Sequence, residues 1–231
     1  MTAPATIDQE LDSPAAPTCA ATRIRLRFAK RGDLRLVSHH DLMRCLERML
    51  RRASLPIAHS QGFNPRPKAT FALAMALGIE GRNEVLDLDL TEPMDPAEVL
   101  DRLRAEGPPG FDFLAAEAVG PGRAARVAAA LYRMAIPEER RAEARAAVAD
   151  LLSRGACPYT RHRPDRTVEI DLRPFVLEAA LVEGGDLVLR MKISPEGSAR
   201  PEEVLDALGL KDLLGRGAVL IRDDVELVCP D

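Results

Sequence analysis

RIRLRFAK, residues 23–30, alternates without a break: Ile24, Leu26 and Phe28 fall on one side of an extended chain, Arg23, Arg25 and Arg27 on the other. Successive side chains of a strand project to opposite faces, so the stretch predicts a half-buried strand. Downstream, Ser38 with Asp41 three residues on reads as a capping box opening a helix of about 16 residues that ends near Ala53. Leu42, Leu46, Met49, Leu50 and Ala53 share one face of that helix. At 100° per residue Arg44, Arg48 and Arg51 fall opposite, a basic stripe turned to solvent. Leu55, Pro56 and Ile57 make a short extended stretch. Residues 69–77 then read as a strand ended by Gly78, and VLDLDL at 85–90 alternates again. Asp95-Pro96 starts a second helix whose apolar face is Val99, Leu100 and Leu103, and Gly107-Pro108-Pro109-Gly110 stops it. Residues 111–119 close the unit as a strand. The order β-α-β-β-α-β predicts an α+β fold of the ferredoxin-like split βαβ kind, an antiparallel sheet with both helices on one face.

After GPGRAARVAAA (120–130) the pattern restarts. It reads as a strand at 131–136, a helix at 137–154 rich in Ala, Glu and Arg, and strands at 167–172, 176–181 and 187–193, with Gly184-Gly185 turning the last two. A short helix at 201–208 and a strand at 218–228 complete it. The expected organisation is a mobile tail at 1–22, a first ferredoxin-like domain at 23–120 and a second, decorated one at 121–231. The tail is Ala-, Pro- and Thr-rich without periodicity, and such a segment does not offset the entropy of ordering it.

Composition narrows the function. Aromatics are 3% of the 231 residues and Trp is absent, so cores are built from Leu, Val, Ala and Ile, and a platform of several exposed stacking rings is excluded. Cys19, Cys45, Cys157 and Cys229 are dispersed with no C-x-x-C pair. That spacing builds neither a zinc knuckle nor an iron–sulfur cluster, and reduced, structural thiols are expected. No apolar run nears the roughly 20 residues of a membrane span, so a cytoplasmic protein is expected. The net charge of −4 hides an asymmetry: residues 23–68 carry 12 Lys+Arg against Asp33, Asp41 and Glu47. A basic block on an acidic chain points to an anionic partner for one region; its plainer reading is a solvated face.

The densest stretch of this block is VSHHDLMR (37–44) followed by RRASLPIAHSQGFNPRPK (51–68). It resembles the radical SAM-linked protein family, in which a histidine–aspartate helix start is followed by a loop similar to SqGFnPrPk. The resemblance is strong from about residue 23 to 90 and recognisable again at Arg166-Thr167 and at DLRP (171–174). Members of that family stand alone or follow a radical SAM domain of the cobalamin-binding type. The resemblance carries no established activity; it implies a radical SAM enzyme as partner. The C-x-x-x-C-x-x-C cluster motif is absent here, so S-adenosylmethionine and an iron–sulfur cluster are expected only through that partner.

Within the loop, Gly62 permits positive φ, and Pro65 and Pro67 hold Asn64 to Lys68 extended, presenting Arg66 and Lys68 on a stiff segment suited to phosphates. Gln61 and Asn64 carry amides able to read a base edge or a sugar hydroxyl, while Phe63 either stacks on a base or plugs the core beneath the loop. His39, His40 and His59 are three of only four histidines. They are candidate general acids or bases, or else capping and turn residues. Adjacent helical positions project 100° apart, so His39 and His40 are not expected to share a site. No metal site is expected. Arg161, His162, Arg163, Arg166 and Arg173 around Tyr159 either extend the basic surface or protect an edge strand.

Three functions follow. The first is an RNA-binding or substrate-delivery module for a radical SAM enzyme in RNA- or ribosome-related modification, through Arg44, Arg48, Arg51, Gln61, Phe63, Asn64, Arg66 and Lys68. The second is a metal-independent RNA-processing enzyme using His39, His40 or His59, similar in outline to the CRISPR repeat-associated ribonucleases but without their Gly-rich C-terminal loop. The third is a module that docks only the protein partner.

Overall fold

The computed structural model describes residues 21–120, 124–163, 165–194 and 197–228. The tail expected at 1–22 lies outside them up to residue 20; from Ala21 the chain is already in strand. The elements are β1 (Ala21–Lys30), α1 (His39–Arg52), β2 (Ala69–Phe71), β3 (Glu80–Met94), α2 (Pro96–Glu106), β4 (Phe111–Ala118), β5 (Val127–Ala135), α3 (Arg141–Ser153), β6 (Pro158–His162), β7 (Thr167–Asp171), β8 (Val176–Leu181), β9 (Asp186–Lys192), α4 (Pro201–Ala207), α5 (Asp212–Gly215) and β10 (Ile221–Leu227). The fold is α+β, with one large, mostly antiparallel sheet of eight strands ordered β4-β1-β3-β10-β5-β9-β8, β2 adding to β3. The strand expected at 167–172 is β7, and it leaves this sheet to pair with β6 in a separate hairpin.

With that hairpin set aside, each half lays its strands in the same order: last, first, third, second. The strand pattern of the sequence does not contain the joining of the halves. Ile221 and Arg222 of β10 run parallel to Glu80 and Gly81 of β3, so two sheets become one. The length of β3 has the same cause. One of its edges is shared by β10 at Glu80 and Gly81, by β2 at Leu86 to Leu88, and by Ile57 and Ala58, which bond at Leu90 and Asp89. A strand whose backbone groups find three successive partners has no reason to stop.

The strand expected at 69–77 is cut to Ala69–Phe71. Beyond it the Ala74 and Ala76 carbonyls accept from the buried Arg222 and Lys30 side chains, at 3.2 and 3.1 Å. Side chains replace the ladder there. Arg222 also clasps Glu84 at 2.6 and 2.8 Å, with both residues almost fully buried.

Two apolar cores lie along the sheet. Leu42, Leu46, Met49 and Leu50 of α1 and Val99 and Leu103 of α2 pack with Ile24, Leu26, Phe28, Leu86 and Leu88. In the second half Ala144, Val148 and Leu151 of α3 and Val204 and Leu205 of α4 pack with Tyr132, Met134, Leu187 and Leu189. The alternate residues of the strands carry cross-strand ion pairs: Arg23 to Asp89, Arg25 to Asp87, Arg27 to Asp224, Arg133 to Asp223 and Arg190 to Glu226.

Candidate nucleic-acid interface

Helix α1 starts where its cap requires. The Ser38 hydroxyl oxygen accepts from the Asp41 backbone N–H, and the hydroxyl donates to the Asp41 carboxylate at 2.7 Å. The expected box is thus modified, the carboxylate taking the hydroxyl. The apolar stripe turns into the core, which leaves Arg44, Arg48, Arg51 and Arg52 exposed.

The segment after α1 forms a narrow hairpin on the edge of β3. Ala58 N–H donates to the Asp89 carbonyl, Lys68 N–H to the Ala58 carbonyl and Asp89 N–H to the Lys68 carbonyl. Above these, His59 bridges to Pro67, Ser60 N–H donates to the Arg66 carbonyl at 2.8 Å, and Arg66 N–H donates back to the Ser60 hydroxyl at 3.0 Å. The loop is therefore closed at its neck from both sides. At its tip Gly62 takes φ +142°, a value side chains disfavour, and the Phe63 ring stands wholly in solvent at 101% relative exposure. Of the two alternatives for that ring, burial beneath the loop is ruled out. Gln61 and Asn64 beside it are exposed.

Between hairpin and helix runs an open groove of about 870 Å³. Of the candidate residues it is lined by His39, His40, Arg44 and Arg51 from α1, His59 from the hairpin stem, and Asn64 and Arg66 from the loop. Arg48, Gln61, Phe63 and Lys68 lie outside the lining, Gln61 and Phe63 at the hairpin's tip and Lys68 at its base. Glu47 is the acidic member of the wall, and Met43, Leu50, Leu55, Ile57 and Pro65 supply apolar floor. These residues escape sequence reading because the wall is made by packing the hairpin against α1.

The 12 cations of the basic block have different fates. Arg23, Arg25, Arg27, Arg31, Arg44 and Arg52 form ion pairs, and Lys30 and Arg35 donate to backbone carbonyls. The block is therefore no uniform basic face: on β1 the arginines are neutralised. Among the described residues the side chains of Arg48, Arg51, Arg66 and Lys68 make neither an ion pair nor a hydrogen bond. All four belong to α1 and the hairpin.

The histidines depart from expectation. His39 and His40 both line the groove, their rings 6.0 Å apart and edge-on, and His39 also meets the Phe71 ring with centroids 5.6 Å apart. Burial, then the neighbouring His40 and Lys30, lower the His39 pKa. Its Nδ1 is buried with no hydrogen-bond partner among the described residues.

The second-half cluster is largely spoken for. Arg161 is bidentate on Glu203 at 2.6 and 2.7 Å, the Tyr159 hydroxyl donates to Asp206 at 2.7 Å, and Arg173 donates to the Val176 carbonyl. Of that group His162, Arg163 and Arg166 are exposed, and none of them lines the groove. Cys45 and Cys157 are unbonded thiols; Cys19 and Cys229 lie outside the described residues. Among the described residues no cluster of histidine, cysteine and carboxylate side chains is arranged to hold a metal ion, and no helix is long and apolar enough to cross a membrane.

No curated protein sequence matches the chain. Among solved structures it is similar to a chain of a Cbf5-Nop10-Gar1 complex, with 14% identity and a TM-score of 0.39 over 87% of this chain. It spans about half of that chain, 48%. The model of one protein family matches residues 23–201, which takes in α1, the hairpin and most of the second half, and the chain therefore belongs to the family described as an uncharacterized protein conserved in bacteria, DUF2344.

Proposed function

We propose that the chain is a non-catalytic RNA-binding module whose contact surface is α1 together with the hairpin that follows it. The single observation behind this reading is the sorting of cations. Of the 12 cations of the basic block, the four whose side chains make no ion pair or hydrogen bond among the described residues are on α1 and the hairpin: Arg51 and Arg66 line the groove beside Arg44, and Arg48 and Lys68 lie outside its lining. These exposed cations outnumber the carboxylates Asp41 and Glu47 beside them, and a polyanion relieves the resulting repulsion while releasing its own counterions. Following the resemblance to radical SAM-linked proteins, the module presents RNA to a radical SAM enzyme in the cytoplasm, with S-adenosylmethionine and the iron–sulfur cluster belonging to that enzyme.

Filter retention of RNA across a salt series tests the reading, with wild type beside a variant carrying alanine at Arg44, Arg48, Arg66 and Lys68. Wild-type affinity should fall steeply with salt, and the variant's slope should be shallower by roughly 0.7 to 0.9 for each phosphate contact removed. Wild-type protein that retains no RNA at low salt would overturn the proposal.

A second reading has one observation in its favour: His39, His40 and His59 all line the groove. An imidazole that lines the groove with Arg51 and Arg66, its pKa lowered by burial in the case of His39, is placed to take a proton from a ribose 2′-hydroxyl. Incubation of bound RNA with wild type and with alanine at all three histidines decides it. Cleavage that the triple variant loses would establish an enzyme; intact RNA with both leaves the binding module.

A further inference from the structure

Resting on the RNA-binding reading and sharpening it, we propose that the site selects single-stranded RNA, stacking one unpaired base on Phe63 while Arg66 and Lys68 hold phosphates beside it. Among the described residues Phe63 is the one phenylalanine or tyrosine whose ring is largely exposed. Its surroundings are not those of a protein-docking patch. Its loop neighbours Gln61, Asn64, Pro65 and Arg66 are all exposed, so the ring stands on a tip made of amides, a proline and a cation, with Lys68 exposed on the stem of the same hairpin. Apolar anchors of protein interfaces sit instead among other apolar groups that exclude water. One ring with hydrogen-bonding neighbours and adjacent positive charge is the provision that an unstacked base and its phosphates require.

The loop is also held ready. The double closure between Ser60 and Arg66 and the prolines at 65 and 67 leave little freedom to lose on binding. A base-paired helix does not offer what this tip needs. Its bases are stacked on one another, and separating a step costs a few kcal/mol, comparable to what one ring returns. Duplex RNA therefore meets the arginines alone.

The test uses the full chain, fluorescence anisotropy, and one labelled oligoribonucleotide of mixed sequence, free or annealed to its complement. Phe63→Leu and Phe63→Trp are compared with wild type; the ring touches no core, so melting temperatures should be unchanged. The single strand should bind wild type about tenfold or more tighter than the duplex. Phe63→Leu should weaken the single strand by roughly fivefold to a hundredfold and leave the duplex alone, and Phe63→Trp should keep wild-type affinity. Equal binding of both RNA forms, with Phe63→Leu like wild type, would overturn the stacking inference while leaving phosphate binding intact. No binding of either form sinks both readings and turns Phe63 toward a protein partner.

Discussion

The arginines of β1 and those of α1 come from one basic stretch of sequence, yet the fold uses them in opposite ways. Antiparallel register sets Arg23 opposite Asp89 and Arg25 opposite Asp87, and each guanidinium meets its carboxylate through two nitrogens. On α1 no strand lies across, and Arg48 and Arg51 face solvent without a partner. Charge density along the chain is therefore a poor guide to an anion site. What distinguishes the two regions is whether the fold brings carboxylates within reach. In β1 Arg23 and Arg25 tie two strands together; in α1 Arg44 and Arg52 pair with Asp41 and Glu106, while the Arg48 and Arg51 side chains make no ion pair or hydrogen bond among the described residues.

The sharpest way to break this contrast is at its most buried end. Arg222→Met leaves the Glu84 carboxylate in the core without its cation, and the cost should be about 3–5 kcal/mol in urea unfolding. The double variant Arg222→Met/Glu84→Leu should recover most of it, since no charge is then stranded.

Lys30 is the next step, a buried cation with a carbonyl partner but no paired carboxylate. Burial, with help from Arg222, lowers its pKa from 10.5 to about 8. Between these values the unfolded chain holds more protons than the folded one, so stability should rise with pH across that window; below pH 8 the penalty is present in full. The wild-type gain should amount to roughly 3 kcal/mol. Subtracting the Lys30→Met curve isolates this term from other alkaline titrations, and a flat difference would contradict it.

Smaller effects separate strand from helix directly. Arg25→Ala leaves Asp87, only 4% exposed at its side chain, with the Ala125 N–H as its remaining partner. It should lose about 2 kcal/mol of stability and keep RNA affinity. Arg51→Ala should do the reverse, changing stability by less than about 0.5 kcal/mol while weakening RNA binding at low salt.

Much of the first half is legible in the sequence because local signals agree there. Strict alternation gives β1, Ser38 and Asp95 cap α1 and α2, and the Gly107 to Gly110 run ends α2. The pairing of β1's arginines was within reach too: VLDLDL presents Asp87 and Asp89 with the same two-residue period, and antiparallel register would have matched them. What local pattern does not carry is anything decided by edges and packing. The full length of β3 depends on three partners met one after another. The shortening of β2 depends on Lys30 and Arg222, the latter nearly 150 residues away. The groove exists only because a closed hairpin stands against α1, and the placement of Phe63, equally compatible with a buried plug, follows from that closure.

The most direct test of the central claim removes the same charge from two places. One variant carries alanine at Arg44, Arg48, Arg66 and Lys68; the other carries alanine at the exposed Arg82, Arg145, Arg154 and Arg216, so net charge is equal in both. Salt-dependent RNA binding should lose most of its affinity and slope in the first and stay near wild type in the second. Equal losses in the two would show that RNA responds to overall charge and that the groove is no site.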